Sequence, residues 1–248
     1  MPSDSGVLPE PQAFVPEGTT SDEEEEQTMK KFIGLAVAGM VAASVFMAGG
    51  VATAAKNPAT VHVLHAVPGA KVDVCVDDSE VRSNFTYKST FTAELPAGSY
   101  KVAVRAAAAG ECEGDVIKSA TYDLAANKNY TVVAGLTGKG APRLFAFKNN
   151  MSDIKDGVAR VQVRHVAAAP TVDVWVNGAP AITGFTSGEE ATVALPEGDY
   201  TVRVAPKGTT TTAIGPRTFS LSEGMAYQVF AVGSGDAGYR FLVLAQSV

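Results

Sequence analysis

The chain is poor in the side chains that most often carry chemistry: two cysteines, three histidines and one tryptophan in 248 residues. His62 and His65 are the closest histidine pair, and residues three apart on a strand face opposite ways. With both cysteines accounted for below, a structural zinc site has no support. No Gly-x-Ser-x-Gly or other nucleophile turn occurs, which leaves a hydrolase without its attacking group. Arg164, Arg203, Arg217 and Arg240 are scattered, and no row of aromatics alternates with them, so nucleic-acid binding is not supported either. Segments of helical period are missing from the body of the chain.

Charge of one sign is also lacking once the N-terminus is set aside. The net charge is −6, from 20 basic and 26 acidic residues. Eight acids (Asp4, Glu10, Glu17, Asp22 and Glu23 to Glu26) fall in residues 1–28, and Lys30 and Lys31 follow; subtracting these leaves 18 of each sign. A neutral body has no long-range field to gather polyanions. Residues 1–28 read as a disordered acidic extension ahead of a start at Met29. The basic pair, an apolar stretch from Phe32 to about Val51 and the small residues Ala52-Thr53-Ala54 have the order of a secretory signal peptide over 29–55. An uncleaved membrane anchor through residues 32–54 is the alternative, since an apolar run of this length can span a bilayer. Both place the body outside the cytoplasm.

What is abundant is repetition. Residues 60–148 and 160–245 overlay at an offset of one hundred: His65 meets His165, "VDVCVDD" meets "VDVWVNG", and "LPAGSYKVAV" meets "LPEGDYTVRV". Later the offset falls to 97, pairing Tyr130 with Tyr227, as a three-residue deletion requires. Within each copy the period is two and β-branched, as in Val61, Val63 and His65 or Val72, Val74 and Val76, and Gly and Pro punctuate it. Asn177-Gly178 predicts a two-residue hairpin; Asp77-Asp78 predicts a looser turn in the first copy. Seven or eight strands per copy predict an all-β chain of two tandem immunoglobulin-like or transthyretin-like β-sandwiches, 58–149 and 158–248. The intervening polar segment from 149 to 157 reads as a linker with little to bury.

A His-Ala or His-Val strand end, Val-Asp-Val, and Leu-Pro-x-Gly-x-Tyr-x-Val, repeated in tandem behind an export signal, resemble the bacterial family known as domain of unknown function 4397. The resemblance covers about residues 60–245. The chain keeps only part of that family's proline-rich turn, in His65-Ala66 with Pro68 and in His165 with Pro170. The resemblance implies extracytoplasmic sandwich modules and no established activity.

The one conspicuous exchange between the copies is Cys75 for Trp175. Cys75 alternates with Val74 and Val76, so it faces away from the valines, on the side of Asp73. In an exported body Cys75 and Cys112 are expected to join, tying the loop after the Tyr100 strand across the outer face. The matching loop at 206–216 has no cysteine but is bracketed by prolines, and is expected to fold over Trp175 and pack on the indole. The competing reading makes Trp175 a platform for stacking sugars.

His65 with Asp73, and His165 with Asp173, are expected to form structural hydrogen bonds between strand end and neighbouring strand; the alternative is the base of a hydrolase. The acids Asp77, Asp78 and Glu80, and Glu111, Glu113 and Asp115, read as solvated turns, with weak calcium binding as the alternative, since no full ligand loop is spelled out. No cofactor is implied. By elimination the chain reads as a non-enzymatic envelope or extracellular module that binds a polysaccharide, wall polymer or protein, with a purely structural spacer as the second reading.

Overall fold

The structure, a computed structural model, describes residues 57–108 and 111–248; the acidic extension and the signal or anchor segment lie outside the described residues. All regular structure described is strand. The first repeat contributes β1 (Ala59–His65), β2 (Lys71–Val76), β3 (Ser79–Thr86), β4 (Thr90–Leu95), β5 (Gly98–Ala106), β6 (Val116–Leu124), β7 (Asn129–Leu136) and β8 (Pro142–Asn149). The second contributes β9 (Val158–His165), β10 (Val172–Val176), β11 (Ala179–Phe185), β12 (Glu190–Pro196), β13 (Gly198–Pro206), β14 (Ile214–Leu221), β15 (Met225–Ser234) and β16 (Gly238–Ser247).

Each repeat makes two four-stranded sheets, β4-β1-β7-β8 over β3-β2-β5-β6 in the first and β12-β9-β15-β16 over β11-β10-β13-β14 in the second. Pairing is antiparallel except where β1 meets β7 and β9 meets β15. Alternation sends Val61, Val72, Val74 and Val104 into a core between the first two sheets. Val161, Val172, Val174 and Val204 do the same in the second. The tandem sandwich expected from the sequence is therefore the fold. The shared "LPxGxY" stretch turns a corner: the Tyr100 hydroxyl donates to the Pro96 carbonyl at 2.9 Å, and Tyr200 to Pro196 at 2.9 Å.

Asn177 (φ 49°) and Gly178 (φ 83°) form the expected hairpin turn. The looser turn expected at Asp77-Asp78 is not found. Those residues adopt φ of 49° and 63°, and β3 starts immediately after them. Aspartate tolerates the left-handed region much as asparagine does. Moreover Asp77 Oδ1 accepts the Lys101 N–H at 2.9 Å, as Asn177 Oδ1 accepts that of Thr201 at 2.9 Å.

The repeats are also fused. Leu64, Val133, Phe145 and Phe147 on the far face of the β1 sheet share a third core with Val166, Phe230 and Val232 on the corresponding side of the β9 sheet. At the offsets above, Leu64 matches Arg164, Val133 matches Phe230, and Phe145 matches Leu242, so equivalent faces meet, as in an isologous dimer interface. Polar groups border this core: the Gln246 amide oxygen accepts from Asn129 Nδ2 at 2.7 Å and lies 3.0 Å from His62 Nε2. The Leu136 N–H donates to the Val166 carbonyl at 3.1 Å. Gly135 permits that approach, because a Cβ there would stand 3.0 Å from the same oxygen. The segment read as a linker is polar but not loose: Arg160 grips the carbonyls of Asn150, Ser152 and Asp153 at 3.0, 2.7 and 3.1 Å.

Candidate functional site

The outer faces of β2 and β10 carry the exchange that separates the copies. In the first, Cys75 is fully buried and bonded to Cys112, with Cα atoms 6.1 Å apart. Closing a loop of 37 residues stabilises by about 4 kcal/mol in the chain-entropy model. In the second, Trp175 is half-buried, with the Arg203 guanidinium standing 4.1 Å from its ring centroid. Arg203 in turn donates to the Thr210 carbonyl at 3.2 Å. The loop is thus tied to the indole through the arginine standing on it, a link not foreseen in the sequence. Register explains this: Trp175 pairs with Arg203 across the sheet, whereas Cys75 pairs with Ala103.

The expected His65–Asp73 and His165–Asp173 hydrogen bonds are not made. Asp73 lies on the outer face with Cys75, while His65 points inward, its ring centroid 5.6 Å from that of Phe85. The strands are not neighbours: β1 and β2, like β9 and β10, belong to different sheets, and each aspartate points out from its own sheet, away from the interior that the histidine enters. Each aspartate instead accepts two backbone N–H groups: Asp73 takes Asn84 and Ala108 at 2.8 and 3.0 Å, and Asp173 takes Gly184 and Gly208 at 2.8 and 2.9 Å. Both carboxylates therefore tie the neighbouring hairpin strand and the loop after the fifth strand to the middle of the sheet. The Gly208 and then the Gly184 N–H hold the Asp173 carboxyl below the ordinary carboxylate range.

The histidine rings are structural in their surroundings. His65 Nδ1 accepts the Val67 N–H at 3.2 Å; its Nε2 has no partner of ordinary geometry, although the Ala70 carbonyl weakly favours the protonated ring. Burial lowers its pKa to about 4. His165 Nδ1 faces the Ala167 N–H and its Nε2 the Pro170 carbonyl, both at 3.4 Å, and burial lowers its pKa as well. Neither ring has a hydroxyl or carboxylate among its hydrogen-bond partners. His62 does, bridging Thr92 Oγ1 at 2.9 Å and Gln246, but with an amide in place of an orienting carboxylate.

One feature escaped the sequence reading. Between the sheets of the second repeat lies an apolar cavity of about 260 Å³, walled by Val161, Val174, Leu195 and Phe219 among others. Its counterpart in the first repeat holds about 40 Å³. In the first repeat Phe91 packs edge-on against Phe85 with centroids 5.4 Å apart; Ala191 replaces it, and Ala181 replaces Val81. The signal lay in the aligned copies, at core positions where they differ.

The sequence profile of a family described as Domain of unknown function (DUF4397) matches residues 59–174 and, a second time, 166–248. No curated protein matches the chain.

Proposed function

The chain belongs to the DUF4397 family, and from that premise we propose that it is an exported, non-enzymatic module of the cell envelope that acts by binding a wall polymer, polysaccharide or partner protein. The disulfide supports the location, because such bonds persist in oxidising compartments. The buried histidines, which lack a hydroxyl partner at their hydrogen-bonding nitrogens, favour the non-enzymatic reading over a hydrolase. The observation that carries the binding reading is the contrast between equivalent outer faces. The first is sealed at Cys75; the second presents Trp175 beneath Arg203, an aromatic surface with a cation on it. With Arg203 over the ring, an acidic sugar met by the guanidinium fits this face better than a neutral sugar stacked on the indole.

The test is retention of the secreted protein on a column of acidic wall polysaccharide. Retention that falls on Arg203→Ala and Trp175→Ala, with folding intact, is the expected result; retention unchanged by both would remove this face from consideration. Intact mass of the secreted chain reads signal cleavage and the disulfide together. A spacer role is the second reading, favoured by the third core, which joins the two sandwiches; it predicts no retention at all.

A further inference from the structure

We propose that the cavity of the second repeat holds the hydrocarbon chain of a free straight-chain carboxylate, with Arg217 as the partner of its carboxylate. Four observations converge. The first is size: dry apolar cavities of about 150 Å³ already admit small apolar molecules, and this one is about 260 Å³. The second is the character of the lining. The two tyrosine hydroxyls near it are engaged elsewhere, Tyr200 with the Pro196 carbonyl at 2.9 Å and Tyr227 with the Ser222 N–H at 3.0 Å. An occupant therefore meets hydrocarbon throughout the interior.

The third is extent. Ala181 on β11 and Val193 on β12 line one edge, and Arg217 on β14 lines the other. Four strands at 4.7–4.9 Å spacing span about 14 Å, a long path for this volume, which suits an extended chain better than fused rings. Val193 is 37% exposed, so the lining reaches the surface at the β11–β12 edge.

The fourth is charge. Arg217 alternates with Phe219 and Leu221, two members of the core, so it occupies an inward-facing position. Its guanidinium lies over Phe219, 4.9 Å from the ring centroid, and is exposed at the rim. It forms no ion pair with a described carboxylate. The first repeat has Ala120 at this position, and the counterpart of the cavity there holds only about 40 Å³. At this place cavity and cation thus occur together in the second copy and are lacking together in the first; the first copy's larger pocket, about 100 Å³, lies elsewhere, against His65, Lys118 and Arg143. A carboxylate at Arg217 would make a planar, charge-assisted contact, with its chain running inward.

The experiment is displacement of a fluorescent fatty acid from the full secreted chain by hexanoate, octanoate, decanoate and dodecanoate, with octanol and phosphatidylglycerol vesicles as separate arms. Displacement at one site per chain, strongest at an intermediate length, is expected. Arg217→Gln should weaken the acids about tenfold, the scale of one charge-assisted contact, and leave octanol unchanged. Ala181→Phe should abolish binding of acids and octanol, and Val81→Phe in the first repeat should leave it intact; Val193→Phe closes the same edge should the first variant not fold. No displacement by any acid, displacement indifferent to the filling variants, or displacement by vesicles but not by free acids would each overturn the proposal. Column retention through Trp175 and Arg203 is a separate readout on the opposite face of the same sheet, so the two proposals fail independently.

Discussion

In the first repeat the loop after the fifth strand is fastened by a covalent bond, and the space between the sheets beneath Phe91 is nearly closed; in the second an indole and a guanidinium replace the bond, and the equivalent space is a cavity of about 260 Å³. Beneath this difference the backbone devices are the same. The Asp73 and Asp173 carboxylates reach matching N–H groups, and Tyr100 and Tyr200 close matching corners. The comparison teaches which parts of the module are interchangeable. Anchors that satisfy buried backbone donors are kept in both copies, because losing one leaves unpaired polar groups in the interior. Side chains that only fill or cover differ between the copies, because several solutions have similar free energy.

The sharpest way to break the comparison is to remove each fastening in turn. Replacing Cys75 and Cys112 together by serine should lower unfolding stability by about 4 kcal/mol, read from the urea midpoint. The contact face between repeats offers a second contrast. Arg164 is fully buried, bonded to Glu190 at 2.6 Å and lying over Phe147 and Phe230 at 4.6 and 5.4 Å, with both terminal nitrogens unpartnered. Glu190→Ala should cost about 3 kcal/mol, since it strands a buried cation. Arg164→Leu installs the residue that Leu64 supplies in the first repeat, and should change stability by no more than about 1 kcal/mol, because replacing a buried charge by hydrocarbon is often neutral. Equal losses from the two variants would show that the guanidinium is itself a structural requirement. Trp175→Ala should cost about 2 kcal/mol, combining partial burial with a cation–π contact. A loss as large as that of the disulfide would mean the two fastenings are equivalent.

Much of this architecture was legible because it rests on short-range rules. The period-two valines, the Asn177-Gly178 turn and the duplicated "LPxGxY" corner each determine local geometry, and together they led to the strands and the tandem sandwich. The Cys75–Cys112 bond was expected from the presence of two cysteines in a body read as exported. What sequence could not convey were pairings set by register between distant strands. Arg203 standing on Trp175 depends on β10 and β13 aligning at that residue pair. The third core depends on Val133 and Phe230 facing one another across sheets whose mutual packing has no local signature. The His–Asp expectation fails for a related reason: strands consecutive in the chain, β1 and β2 or β9 and β10, lie in different sheets, and the aspartates point outward to hairpin and loop N–H groups.

The smallest predicted contrast concerns protons, and it is the difference between the two histidines of the repeat pair. Both rings are buried and neutral in the folded chain, with pKa values held below the unfolded value of 6.5. Between that value and the folded one, the unfolded chain binds more protons, so stability is complete above pH 6.5 and declines as pH falls. Each ring contributes at most about 1.4 kcal/mol for each pH unit in that window. The carboxylates held down by backbone N–H groups, Asp173 and Glu189, act only nearer their own ordinary values of 3.8 and 4.5, so the decline just below pH 6.5 belongs to imidazole. For His65 burial lowers the pKa to about 4 against the Ala70 carbonyl alone, whereas for His165 the Pro170 carbonyl and then the charge of Glu189 work against burial. His65→Gln should therefore flatten the decline between pH 6.5 and 5 more than His165→Gln does, measured as urea midpoints across that range. The opposite order would show that His65 escapes burial in solution, and that the two interiors differ in hydration as well as in volume.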